Sequence, residues 1–199
     1  YDFDVDFPAT LDTLLAPERA LSPSPWLRVE MCESRRLTRP MATFVNALFG
    51  TDIRSSKDGP AVEVRAPRSI FDLHACLKDV FEDAQRADGD PVLVLSDRKR
   101  GNRPLRTLLN CISRGGARVS VHGLDVDDAE QRAHVVSATF WSAKGLESDT
   151  VVVLLPSAAA RNPTYVACTR ARRRLIVVLD PREPHAGAAQ ACAQCLGSV

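Results

Sequence analysis

Three stretches of this chain concentrate side chains able to handle a phosphate. SRRLTRPMATFVN (34–46) sets arginines behind a short apolar stretch and at the entrance of a helical pattern. TFWSAKGLE (139–147) leaves one apolar run and precedes another. YVACTRARRRL (165–175) lets Tyr165, Val166 and Cys168 face a core, puts Arg170 one turn after Val166, and leads through Arg172, Arg173 and Arg174 into an apolar run. Guanidinium groups grip phosphate or carboxylate with a planar fork. In the middle stretch Gly145 permits close backbone approach, Lys144 supplies a cation and Glu147 an acceptor. Singly, each stretch is ordinary. Lys-Gly-Leu-Glu is a common loop, arginines at 161, 170, 172, 173 and 174 make a solvated face, and Trp141 is by default a core or interface residue. Their order and spacing carry the weight.

Such chemistry needs a scaffold, and the chain alternates in a way that supplies one. Residues 1–25 read as a lead-in from a preceding domain, 26–180 as the domain itself, and 181–199 as an Ala-rich tail. WLRVEMC (26–32) is a short strand candidate, and 38–49 a helix with Thr38 as N-cap and Met41, Phe44, Val45 and Leu48 at helical spacing. Strands are expected at 61–66, 91–96, 117–122, 134–139, 150–155 and 174–179. Helices are expected at 69–86, where Ser69 and Asp72 are spaced as a capping box, and at 103–114, ended by Gly115-Gly116. A short helix with Pro163 at its first position runs to about Ala171. PVLVLS (91–96) is apolar throughout, the mark of a strand covered on both faces. Alternating strands and helices of this kind mean an α/β domain with a largely parallel sheet flanked by helices. Ligands of such sheets collect beyond the carboxyl ends of the strands, and the loop 139–147 leaves such an end.

Composition sets the outer bounds. Lys and Arg number 26 against 25 Asp and Glu, a net charge of +1, so only local clustering could attract a polyanion. No apolar run approaches the roughly 18 residues of a spanning helix, which argues against a membrane partner. Cysteines at 32, 76, 111, 168, 192 and 195 do not form the framework of a secreted scaffold, and an intracellular, reducing compartment is expected. Tyr1 is neither a Met nor the start of a signal peptide, so the chain reads as part of something longer. Cys192, Cys195 and His185 offer three zinc ligands without a fourth, and Asp127-Asp128-Ala129-Glu130 sits in a polar loop as a solvated turn; no metal-binding residue is assigned.

In this order the three stretches resemble motifs IV, V and VI of the UvrD/Rep-like superfamily one DNA helicases. Motif V there reads T-x-H-x-(A/S)-K-G-L-E, against T-F-W-S-A-K-G-L-E here. Motif VI reads Y-V-A-x-T-R-A, matched in full by Y-V-A-C-T-R-A, and motif IV centres on an arginine that Arg36 fits best. Tyr1 and Phe3 resemble the end of motif III, so the resemblance covers most of residues 1–180. It implies a RecA-like (P-loop NTPase type) fold and the C-terminal (2A) domain of a helicase translocating 3′ to 5′. It implies two catalytic arginines at the γ-phosphate of ATP, Arg36 and the finger Arg170, with Glu147 on the ribose, Gly145 beside it, and Arg35 where the family often stacks an aromatic on adenine. Tyr1, Phe3, Thr139, Trp141 and Lys144 would line a single-stranded DNA path. ATP and Mg²⁺ are implied, the metal held mainly by an N-terminal RecA-like domain of the same protein. Trp141 departs from the usual histidine, and there is no room between motifs IV and V for the large inserted 2B subdomain. No G-x-x-x-x-G-K-(S/T) loop occurs in the sequence, so the chain alone is expected to be inactive. The alternative is a nonenzymatic nucleic-acid-binding or interaction module derived from a helicase.

Overall fold

The computed structural model describes residues 33–86, 89–97, 103–123, 132–156 and 161–180. The chain divides into two units, residues 1–32 and 33–199, and all described elements belong to the second. The strand expected at 26–32, the DNA-path residues Tyr1 and Phe3, the Asp127–Glu130 turn and the tail 181–199 lie outside the described residues.

Six strands form one sheet: β1 (Glu63–Arg65), β2 (Val92–Ser96), β3 (Val119–Val121), β4 (Val135–Thr139), β5 (Ser148–Leu155) and β6 (Ala171–Leu179). Their order is β1-β6-β5-β2-β4-β3, and every neighbouring pair is parallel. The apolar runs occupy the middle, and β2 and β4 are buried along their whole length.

Crossover handedness explains where the helices lie. From β1 to β2 and from β2 to β3 the chain moves one way across the sheet, through α2 (Ile70–Arg86) and α3 (Arg103–Arg114). From β4 to β5 to β6 it moves back, through residues 140–147 and α4 (Arg161–Cys168). Right-handed crossovers in opposite directions cover opposite faces. The packing divides accordingly. Leu73, Leu77, Phe81, Leu105 and Ile112 meet Val94, Val152 and Ile176 on one side. On the other, α1 (Arg39–Phe49) supplies Met41, Phe44 and Val45, which join Phe140 and Ala167 over Leu95, Val153 and Val177.

Local signals at the helix ends are met in part. Ser69 Oγ accepts the Asp72 amide at 3.2 Å, the forward half of the expected capping box. Thr38 occupies the N-cap of α1 with extended backbone, but its buried hydroxyl caps nothing and has no partner. Gly59 presses on that side chain so closely that a Cβ would lie 2.4 Å from Thr38 Cγ2. α4 begins at Arg161, which makes Pro163 its third residue rather than its first, and ends at Cys168, short of Ala171. β6 starts at Ala171, not Arg174, because the arginines have partners on the sheet surface: Arg172 with Asp90 and Asp149, Arg174 with Glu63.

The Glu63 group ties the first strand to its surroundings. Its carboxylate accepts Arg174 Nε at 2.6 Å and Arg65 Nε at 3.1 Å, and both arginines also reach Asp79 of α2. Burial pushes the Glu63 carboxyl up, but hydrogen bonds from Arg174 and Arg65 outweigh it and hold the group below its ordinary value. Asp79 is lowered in the same way, against its own burial, by Arg65. A carboxylate depressed in the folded state adds stability above its unfolded pKa, about 4.3 for glutamate, and loses it as pH falls through the folded value. Thermal unfolding between pH 7 and pH 3 should therefore show the melting temperature dropping below about pH 4.3. Glu63→Gln should start roughly 1 kcal/mol less stable and show a shallower acid limb. An unchanged acid limb in that variant would mean the network adds nothing.

Candidate functional site

Arg36 is placed by its backbone. Ser34 N–H donates to the Arg54 carbonyl at 2.8 Å, Leu37 N–H to Ser34 Oγ at 3.1 Å, and Ser55 Oγ to the Leu37 carbonyl at 2.6 Å. Leu37 itself is buried in the core. Lys57 Nζ donates to the Arg172 carbonyl at 2.7 Å and the Arg36 carbonyl at 3.4 Å, pinning this segment to the start of β6. From that anchored backbone the Arg36 guanidinium forms an ion pair with the Glu147 carboxylate through Nη1, while its buried Nε has no hydrogen-bond partner.

Glu147 closes the crossover between β4 and β5. Thr139 and Ser142 cap one another across its first turn: Ser142 N–H donates to Thr139 Oγ1 and Thr139 N–H to Ser142 Oγ, both at 3.0 Å. Phe140 and Ala143 are buried and anchor the turn to the α1–α4 side of the core. Gly145 then reverses the chain at φ +91, a left-handed backbone that side chains disfavour, and Leu146 N–H bonds the Ala143 carbonyl at 3.0 Å. This geometry delivers Glu147 to the entrance of β5 without a crossover helix.

Arg170 arrives from α4. Its Nε donates to the Val166 carbonyl at 2.9 Å and its Nη2 to Thr169 Oγ1 at 3.1 Å. Tyr165 holds the same helix against α1 by an edge-to-face contact with Phe49, centroids 5.5 Å apart. Burial lowers the Arg170 pKa first and the Arg36 charge lowers it further, while Glu147 and Tyr165 act in the opposite sense. Arginine stays protonated through such a shift. The result is an Arg36–Glu147 ion pair with the Arg170 guanidinium close by in a half-buried place, an arrangement with one positive charge in excess and suited to an anion.

Three of the residues singled out in the sequence, Arg36, Glu147 and Arg170, thus come together, but not at the expected end of the sheet. Ser148 begins β5 and pairs with Ala171, which begins β6; Glu147 and Arg170 each stand one residue before, at the amino edge. Thr139 pairs with Ser96, the last residue of β2, at the carboxyl edge. The loop 139–147 does leave a carboxyl end, at Thr139, but it carries Glu147 on to the amino edge because it must join two parallel strands.

The remaining candidates fall around these two ends. Trp141 is 46% exposed next to the carboxyl edge, whereas its neighbour Phe140, not singled out in the sequence, is 1% exposed and is the core aromatic. Thr139 is nearly buried, with its hydroxyl engaged in the cap. Lys144 and Arg35 are exposed. A cleft of about 510 Å³ is lined by Thr38, Lys57, Asp149, Arg172 and Arg173, and not by Arg36, Glu147 or Arg170. Lys57 has no motif to betray it, and only the fold reveals that it braces Arg36. Among the described residues no group of three His, Cys, Asp or Glu could hold a metal ion, Cys76, Cys111 and Cys168 form no disulfide, and no helix is long and apolar enough to cross a membrane.

An all-parallel six-stranded sheet with helices on both faces defines an α/β domain of the doubly wound kind. Among solved structures, the chain is similar to the C-terminal domain of a possible DNA helicase from Lactobacillus plantarum WCFS1. The two are 18% identical with a TM-score of 0.56, over 73% of this chain and 87% of that one. It also aligns with the Pyrococcus furiosus Hef helicase domain, at 18% identity and a TM-score of 0.39, over 59% of this chain and 28% of that one. The first likeness speaks to the fold; the second carries no argument. No family model and no curated protein matches the chain.

Proposed function

We propose that this chain is the C-terminal RecA-like domain of an ATP-dependent DNA helicase of the UvrD/Rep-like kind. The observation that supports the reading is the Arg36–Glu147 ion pair with Arg170 near enough to be influenced by both charges, from motifs that resemble those of this family. The designation of the Lactobacillus plantarum neighbour as part of a possible DNA helicase is in keeping with it.

In this reading the substrate is ATP, held against an N-terminal RecA-like domain that supplies the phosphate loop. The buried, unpartnered Nε of Arg36 and the surplus positive charge fit the γ-phosphate. Arg36 binds that group, and Arg170 acts as the arginine finger on the charge of the transition state, a role typically contributing ~10³–10⁵ in rate. Gly145 lets the backbone come close to the nucleotide, and Arg35 offers its guanidinium plane to adenine. In this reading Mg²⁺ is held mainly by the N-terminal domain. At the other edge, Trp141 and Lys144 meet single-stranded DNA, with Thr139 fixing the turn that presents them. Residues 139–147 connect both ends, so the segment that feels DNA also positions Glu147. Translocation runs 3′ to 5′, inside the cell.

The test is a comparison of ATP hydrolysis by the 199-residue chain and by the complete protein, with and without single-stranded DNA. The chain alone should give no turnover, because transition-state stabilisation needs the phosphate cradle as well as the arginines. DNA-stimulated hydrolysis by the chain alone would show that it is not half of an active site.

A further inference from the structure

We infer that Glu147 is the counter-ion of Arg36 and thereby sets how strongly a triphosphate is preferred over a diphosphate. The inference rests on the proposed nucleotide site and changes one part of it, since the family resemblance alone would give Glu147 to the ribose.

Two half-buried guanidiniums repel one another and need an anion. Glu147 is that anion in the structure: it pairs with Arg36 and also acts favourably on Arg170. Neither partner can retreat far. The Arg36 backbone is bound through Ser34, Ser55 and Lys57, and Glu147 is fixed between the Gly145 turn and the first residue of β5. An incoming γ-phosphate brings negative charge to the same guanidinium. It must then draw Arg36 off the carboxylate or lie beside a like charge. A diphosphate ends one group short and faces no such competition. Glu147 therefore weakens triphosphate binding specifically, and it re-forms the pair with Arg36 once the terminal phosphate has left.

The experiment is equilibrium binding of ADP and of the non-hydrolysable β,γ-imido analogue of ATP to the complete helicase. Four forms are compared: the natural protein, Glu147→Gln, Arg36→Ala and the double variant. Glu147→Gln should raise the preference for the triphosphate analogue over ADP about fivefold or more, within the usual range of coupling between sites. In the Arg36→Ala background the same change should leave that preference where it was. Equal weakening of both nucleotides by Glu147→Gln would make Glu147 a ribose ligand and overturn the inference. An unchanged preference would overturn it too, as would a gain that persists without Arg36, which would mark a diffuse charge effect. Failure of the natural protein to bind either nucleotide would instead refute the proposed function.

Discussion

Under the proposed function, Arg170→Ala in the complete protein is expected to lower kcat for ATP by ~10³–10⁵ while moving KM little. The size follows from the way the side chain is held. Nε and Nη2 are committed to Val166 and Thr169, so the guanidinium is fixed in place before any substrate arrives. Its charge stands in a half-buried setting, where electrostatic interactions are stronger than in water. A group prepositioned in this way acts mainly on charge that develops in the transition state, and its loss appears in kcat. Steady-state hydrolysis over a range of ATP concentrations separates the two constants. A loss confined to KM would mean uniform binding of substrate and transition state, and the finger role would fall. Arg170→Lys should fail as well, since an ammonium cannot donate to Val166 and Thr169 in the geometry of the planar fork.

The two adjacent aromatics of the crossover should behave in opposite ways. Phe140 is fully enclosed, so Phe140→Ala is expected to cost about 3–5 kcal/mol of folding stability. Trp141 keeps nearly half its surface in solvent, so Trp141→Ala should leave the melting temperature almost unchanged. Its effect should appear in single-stranded DNA affinity, where a stacked base contributes roughly 1–3 kcal/mol with little sequence preference. Thermal unfolding and DNA titration of the same variants decide the matter. If Trp141→Ala lowered the melting temperature as far as Phe140→Ala and left DNA affinity intact, the stacking role would be lost.

Much of the scaffold can be read before folding is considered. The uninterrupted apolar run at 91–96 becomes β2, and the stripe through Leu73, Leu77, Val80 and Phe81 becomes the buried side of α2. These signals are local, and periodicity reports them directly. The apolar run alone places the start of β6 at Arg174; the strand reaches back to Ala171 because Asp90, Asp149 and Glu63, distant in sequence, pair with Arg172 and Arg174. The strand order is equally silent, since β2 separates β4 from β5 and no local pattern encodes that insertion. The site shares this difficulty. Motif resemblance picks out Arg36, Glu147 and Arg170 one by one, but their union depends on a contact between residues 36 and 147 and on an unusually short crossover that carries Glu147 to the amino edge. Residue type does not say which of the adjacent Phe140 and Trp141 enters the core, because both are large and apolar; in the structure Phe140 is buried and Trp141 exposed.

The sheet's two margins bear on how this domain can associate with anything else. β1 and β3 are the outer strands, and each spans only three residues, Glu63–Arg65 and Val119–Val121. β1 additionally carries Glu63 and Arg65 in ion pairs with Arg174 and Asp79. Short, charged margins discourage the addition of a further strand from another chain. Recruitment by strand augmentation is thereby disfavoured, which leaves a companion domain the helical faces and the amino and carboxyl ends of the strands. The two ends are where Arg36 with Arg170, and Trp141, stand, so the same economy that keeps the sheet from aggregating leaves encounters open to the groups that could use them.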